Sequence, residues 1–241
     1  MGSGRQRTPE AASTGALPQR LRAWLAPVAV LAALVVAALG IGYADHHEYG
    51  TVDRWFIQPT TDPVRPPWRR VALVLDFLGE PAGSALVVAA VVTGCLLLRR
   101  PRAAVLAVAG SGVAVATATL LKHVVGRTIH GDGNLSYPSG HTAFATALAL
   151  VVALLATDRL GLGRTAGVAL VLVAALAAGA AMGWAQVVLG AHYPTDALGG
   201  WCTALAVVPA TGWLVDRVAD RPPRPPDHRL DDRTADARPS A

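Results

Sequence analysis

Charge is scarce in this sequence: Asp, Glu, Lys and Arg make up 15% of its 241 residues against 53% hydrophobic, and the mean hydropathy is +0.42. That balance excludes an ordinary soluble domain and points to a membrane protein. Cysteine is scarcer still. Both copies, Cys95 and Cys202, fall inside apolar runs, where a thiol is a packing residue, so neither a disulfide framework nor a cysteine-bound metal is expected. No internal repeat of solenoid type is present. The net charge of +5 and the isoelectric point near 9.9 raise the question of nucleic acid. The arginines, however, stand at segment ends and in tails rather than on one groove-sized face, so no nucleic-acid partner is expected.

What the sequence does contain is six apolar runs of the length a helix needs to cross roughly 30 Å of hydrocarbon. They cover residues 24–44, 82–98, 103–121, 141–157, 165–189 and 195–215. The second has an apolar lead from Val71, but Asp76 and Glu80 make that lead interfacial. Ala, Val and Leu dominate, and the small residues allow close helix packing where lipid supplies no hydrophobic drive. The expected fold is all-α: a polytopic membrane protein with six transmembrane helices in one bundle over 20–216. Tails over 1–19 and 217–241, rich in Pro, Arg and Asp and without apolar periodicity, are expected to be disordered and cytoplasmic.

The first run has a basic front and ends in Gly42-Tyr43-Ala44, as a secretory signal does. Its apolar stretch exceeds the roughly 7 to 15 residues of a signal core, so an uncleaved first helix is expected. Arg20, Arg22, Arg99, Arg100, Arg102, Arg159, Arg164 and Arg217 all fall on one side of a six-span topology, which makes that side the cytoplasm of a multi-pass cell-membrane protein. Arg54, Arg65, Arg69 and Arg70 in the first outer loop run against the trend.

With that threading, the chemically interesting residues share the outer face. "PSGH" places Ser139 as an N-cap and His141 at the start of the fourth span, with the first-turn N–H groups and dipole of Gly140 onward suited to an anion. In "LGAHYPTD", His192 and Asp196 are four apart and Pro194 suits a helix start, so the carboxylate can hold one ring nitrogen and leave the other as a nucleophile. "LLKHVVGR" supplies Lys122 and Arg127. Each string also has a plain structural reading, as a capped helix, a capping aspartate or snorkelling cations. Gathered on one face, they are the parts of a phosphoryl transfer through histidine.

Lys122, Arg127, Pro138-Ser139-Gly140-His141 and His192-x-x-x-Asp196 on six spans resemble the membrane-bound type-2 phosphatidic acid phosphatase superfamily, over about residues 20–215. The resemblance implies a metal-independent lipid phosphatase acting on a phosphomonoester or diphosphate at the outer membrane face. Phosphatidic acid, phosphatidylglycerol phosphate and a polyprenyl diphosphate are the candidate substrates. It casts His192 as nucleophile, Asp196 as its orienting carboxylate and His141 as the acid for the leaving oxygen. Lys122, Arg127, Ser139 and Gly140 would hold the phosphate. Two family arginines are missing: the Arg-Pro of the first motif is Ile129-His130 here, and the Ser-Arg of the third is Ala185-Gln186. Arg127, His130 or Arg54 is the expected substitute.

The loss of those arginines leaves open a weak or inactive homologue that binds or transports lipid phosphate, although the spans have almost no mid-membrane charge of the kind transport uses. A metal site is the other alternative. His123, His130, His141, His192 and Asp196 offer ligands, but none pair at metal-motif spacing on one helix, so no metal and no cofactor are expected.

Overall fold

The computed structural model describes residues 15–57, 65–131 and 133–221. Eight helices account for most of them: α1 Gln19–Gly42, α2 Thr51–Ile57, α3 Pro66–Gly79, α4 Pro81–Leu97, α5 Pro101–Val125, α6 Gly140–Arg159, α7 Arg164–Val188 and α8 Pro194–Ala219. Proline opens α3, α4, α5 and α8, where its missing N–H has no partner to lose and its φ is already helical. α1 and α5 to α8 are each long and apolar enough to cross a membrane.

The second apolar run is different. α3 and α4 pass the same test only as a pair bent by 71°. Pro81 cannot continue the α3 ladder and forces Glu80 into an extended conformation, φ −67° and ψ 158°, so the chain turns there. The stretch expected to be merely interfacial is therefore a helix of its own. α2, in the first connecting loop, was not legible as a helix.

α6 is the central helix, with 61% of its most apolar stretch buried against 22% for α1. Ala143, Ala147, Leu150 and Leu154 on α6 pack with Ala107, Ala114 and Ala118 of α5, Ala175 of α7, and Ala204 and Val208 of α8. The outward surfaces keep Leu31, Leu34, Leu86, Val173 and Leu176 exposed, as a lipid-facing bundle requires. At Gly200 a Cβ would lie 2.2 Å from the Ser139 carbonyl oxygen, so α8 runs directly beneath the turn that starts α6. Tyr137 in that turn donates its hydroxyl to the Val36 carbonyl at 2.8 Å, fastening α1 to it. Burial pushes its phenol well above the ordinary value, so it stays a donor.

The opposite end is tied by ion pairs. Asp216, nearly inaccessible, accepts from Arg22 at 2.6 Å and lies 3.6 Å from Arg102, whose other nitrogen reaches Asp220 at 2.7 Å. Arg100 pairs with Asp158 across the α5 and α6 ends. This corrects the tail boundaries. Asp216 also accepts the backbone N–H of Ala16 at 2.6 Å and of Leu17 at 3.1 Å, because a buried carboxylate collects every donor in reach. Ala16 and Leu17 are buried, and α8 continues to Ala219. The rest of the expected tails, 1–14 and 222–241, lies outside the described residues.

Candidate active site

Three connections meet at the other end of the bundle: residues 43–57, 126–139 and 189–193. Gly126, at φ 65°, ends α5 in the left-handed conformation and turns the chain just after Lys122. The Lys122 ammonium donates to the Leu135 carbonyl at 3.0 Å, which fixes it over the following loop.

Ser139 caps α6, as its sequence position implied, but its groups are already engaged. Its Oγ accepts from the Thr142 N–H at 3.3 Å and hydroxyl at 3.1 Å, and its own N–H donates to the Asp196 carbonyl at 2.9 Å. With Ser139 fully buried, the groups left for an anion are the first-turn N–H groups of Gly140 and His141, which bond to nothing among the described residues. Of the expected Ser139–Gly140 pair, Gly140 thus keeps a free donor, and His141 adds a second.

His192 is buried and its Nδ1 stands 3.7 Å from Asp196 Oδ2. That is ion-pair range and too long for a hydrogen bond. The carboxylate is held elsewhere: Oδ2 accepts the Tyr193 N–H at 2.9 Å in a capping box, and Oδ1 accepts Arg127 Nη1 at 2.7 Å.

Arg127 does not do what was expected of it. Its guanidinium is inaccessible, stacked between Tyr43 at 4.1 Å and Tyr193 at 4.4 Å, and clamped by Asp196 on one side and Asp53 of α2 at 2.6 Å on the other. Nη1 spends both hydrogens, on Asp196 Oδ1 and Thr195 Oγ1, and Nη2 gives one to Asp53, so the guanidinium is committed to two carboxylates and has no accessible face to offer a phosphate. Asp53 also accepts the Thr195 N–H and hydroxyl at 2.9 and 2.8 Å, so Arg127 and Asp53 together hold the start of α8 and, through it, His192. The other suggested substitutes are engaged as well. His130 bonds the Gly190 carbonyl at 2.8 Å, and Arg54 lies over the Tyr49 ring at 5.8 Å.

His141 lies near enough to His192 and Lys122 to act on both electrostatically, so these three do converge. Its remaining neighbours were not foreseen. Nε2 has no hydrogen-bond partner and stands 3.6 Å from Asp76 Oδ1 and 3.7 Å from Glu80 Oε1, both at the α3–α4 break. Gln186, where the family pattern has arginine, donates to Asp76 at 2.8 Å. The donor atoms of Asp76, Glu80 and His141 lie within 4.8 Å of one another, a grouping that can hold a cation and that no sequence spacing revealed. The available signal was two carboxylates four residues apart at the edge of an apolar run, which lipid penalises unless they have work to do.

Gly79 shows how closely α3 approaches the site: a Cβ there would meet His141 Cδ2 at 2.1 Å. Gly79→Ala is expected to push the imidazole off its position and lower turnover by about 100-fold, the usual effect of misplacing a reacting group by roughly 1 Å. Elution of the purified variant as an intact protein, compared with its kcat, checks that the loss is local.

The profile of the PAP2 superfamily matches residues 117–219, a segment that holds Lys122, Ser139, His141, His192 and Asp196. That segment, in the C-terminal half of the chain, is the part that resembles the PAP2 superfamily. The chain's fold also matches the crystal structure of a transmembrane PAP2-type phosphatidylglycerolphosphate phosphatase from Bacillus subtilis, with a TM-score of 0.61 and 20% identity over 81% of this chain and 98% of that one. No curated protein sequence matches it. Asp53, which shares Arg127 with Asp196, and Asp76 and Glu80, which flank His141, lie outside the segment matched by the PAP2 profile, in the N-terminal half of the chain.

Proposed function

We propose that this protein hydrolyses a lipid phosphate through a phosphohistidine at the outer face of the cell membrane, without a metal. The observation that carries the reading is the meeting of His141, His192 and Lys122 at the mouths of α5, α6 and α8, beside a buried carboxylate. In the first step His192 attacks phosphorus through Nε2, the nitrogen turned away from Asp196, and the bond from phosphorus to the leaving oxygen breaks. His141 gives its proton to that oxygen. Lys122 and the N–H groups of Gly140 and His141 take the charge on the remaining phosphate oxygens. In the second step water attacks the phosphohistidine, His141 recovers a proton from it, and phosphate leaves with His192 restored.

The test is phosphate release by the purified protein in detergent with EDTA, across a panel of lipid phosphates. Turnover unaffected by chelation is expected, and so is inhibition by vanadate, which mimics five-coordinate phosphorus. Activity that EDTA abolishes and a divalent ion restores would overturn the metal-free route and point to Asp76, Glu80 and His141 as ligands. A protein that binds vanadate and turns nothing over is a lipid-phosphate-binding homologue.

A further inference from the structure

The neighbours of His141 bear on which lipid phosphate the site accepts. Resting on the phosphatase reading above, we infer that Asp76 and Glu80 are specificity-determining residues that reject anionic leaving groups, so that the substrate is the phosphomonoester of an uncharged lipid alcohol rather than a diphosphate. The atom that protonates the leaving oxygen is His141 Nε2, and a hydrogen-bonded oxygen would sit about 2.8 Å from it. Both carboxylates are within 3.7 Å of the same atom. The leaving oxygen therefore lies at most about 6.5 Å from two carboxylates, and the group it is attached to one bond beyond, a range at which unscreened charges still interact appreciably.

Those charges are not cancelled. Among the described residues neither carboxylate forms an ion pair with Lys or Arg; their only ionic neighbour is His141. Gln186 binds Asp76 with a neutral amide, where an arginine would neutralise it. Lys122 stands on the phosphate flank, donating to the Leu135 carbonyl and in the field of Asp196, and forms no ion pair with Asp76 or Glu80. When His141 passes its proton to the leaving oxygen, the pair loses that cation too. A leaving alcohol such as diacylglycerol is indifferent to this, but a leaving phosphate monoester carries its own negative charge into it. Phosphatidylglycerol phosphate, whose leaving group keeps a phosphodiester, falls in the disfavoured class as well.

Phosphatidic acid and diacylglycerol diphosphate with the same acyl chains differ in both the charge and the basicity of the leaving group, and the change in their kcat/KM ratio across Glu80 variants, in one detergent with EDTA, isolates the charge. The wild-type protein is expected to favour phosphatidic acid by about tenfold or more, the order expected of one added charge at this range near a protein surface. Glu80 is half exposed, so its charge can be removed or reversed without burying a polar group. The preference should shrink in Glu80→Gln and shrink further or invert in Glu80→Lys, chiefly through KM for the diphosphate. A merely structural role for Glu80 would change both substrates alike. Turnover of neither lipid by wild type defeats the phosphatase reading itself. Wild-type turnover of both lipids at similar kcat/KM, or a preference that stays fixed across the Glu80 series, leaves that reading standing and overturns this one.

Discussion

His192→Ala is expected to abolish turnover and the acid-labile phosphoenzyme together, because no other side chain at the mouth of α8 can form the bond to phosphorus. The companion variant separates the two histidines. His141→Ala leaves the nucleophile in place and removes the proton donor, a loss of about 10²- to 10⁴-fold on a lipid alcohol, which is a poor leaving group. An aryl phosphate, whose leaving oxygen needs little protonation, should lose much less. Rapid-quench labelling with 32P substrate and parallel turnover assays read both quantities. A phosphoenzyme that persists in His192→Ala, or a His141→Ala variant that loses the same factor on lipid and aryl substrates, would sink these role assignments.

The second large effect is on stability and concerns Arg127. Arg127→Met is close in volume but strips the counter-charge from Asp53 and Asp196, both fully buried. Removing one partner of a buried ion pair costs about 3–5 kcal/mol, since the remaining charge can neither reach water nor find another cation. The loss should appear as a much lower temperature of aggregation in detergent, followed by size-exclusion chromatography. Arg127→Lys should recover only part of it, because one ammonium cannot reproduce a guanidinium that spans two carboxylates and stacks between two tyrosine rings. A phosphate ligand would behave differently. Normal thermal stability in Arg127→Met with a raised KM alone would return Arg127 to the phosphate-binding role its sequence position suggested.

That contrast marks where local sequence stops being informative. Lys122 and Arg127 read alike as cations at the end of an apolar run. Only Lys122 remains in the electrostatic reach of His141, because α2 brings Asp53 in from a loop whose helix has no sequence signature. The partners of the suggested substitutes for the missing arginines are equally invisible to local reading: His130 bonds the Gly190 carbonyl and Arg127 is held by Asp53 and Asp196.

The sequence by itself determined the helical membrane class, five of the spans, the helix starts at Ser139 and Pro194, and the nearness of His192 to Asp196 across the start of α8. These rest on apolar run length, capping chemistry and the Pro194 helix start, which are properties of contiguous residues. Only the tertiary structure decided the 71° break that carries Asp76 and Glu80 to His141, the burial of Arg127 between two aspartates, and the capture of Ala16 and Leu17 by Asp216. Each joins groups from about 60 to 200 residues apart. Such contacts exist because a buried charge must be met by some partner, and which partner is available depends on how the helices pack, not on what stands beside it in the chain.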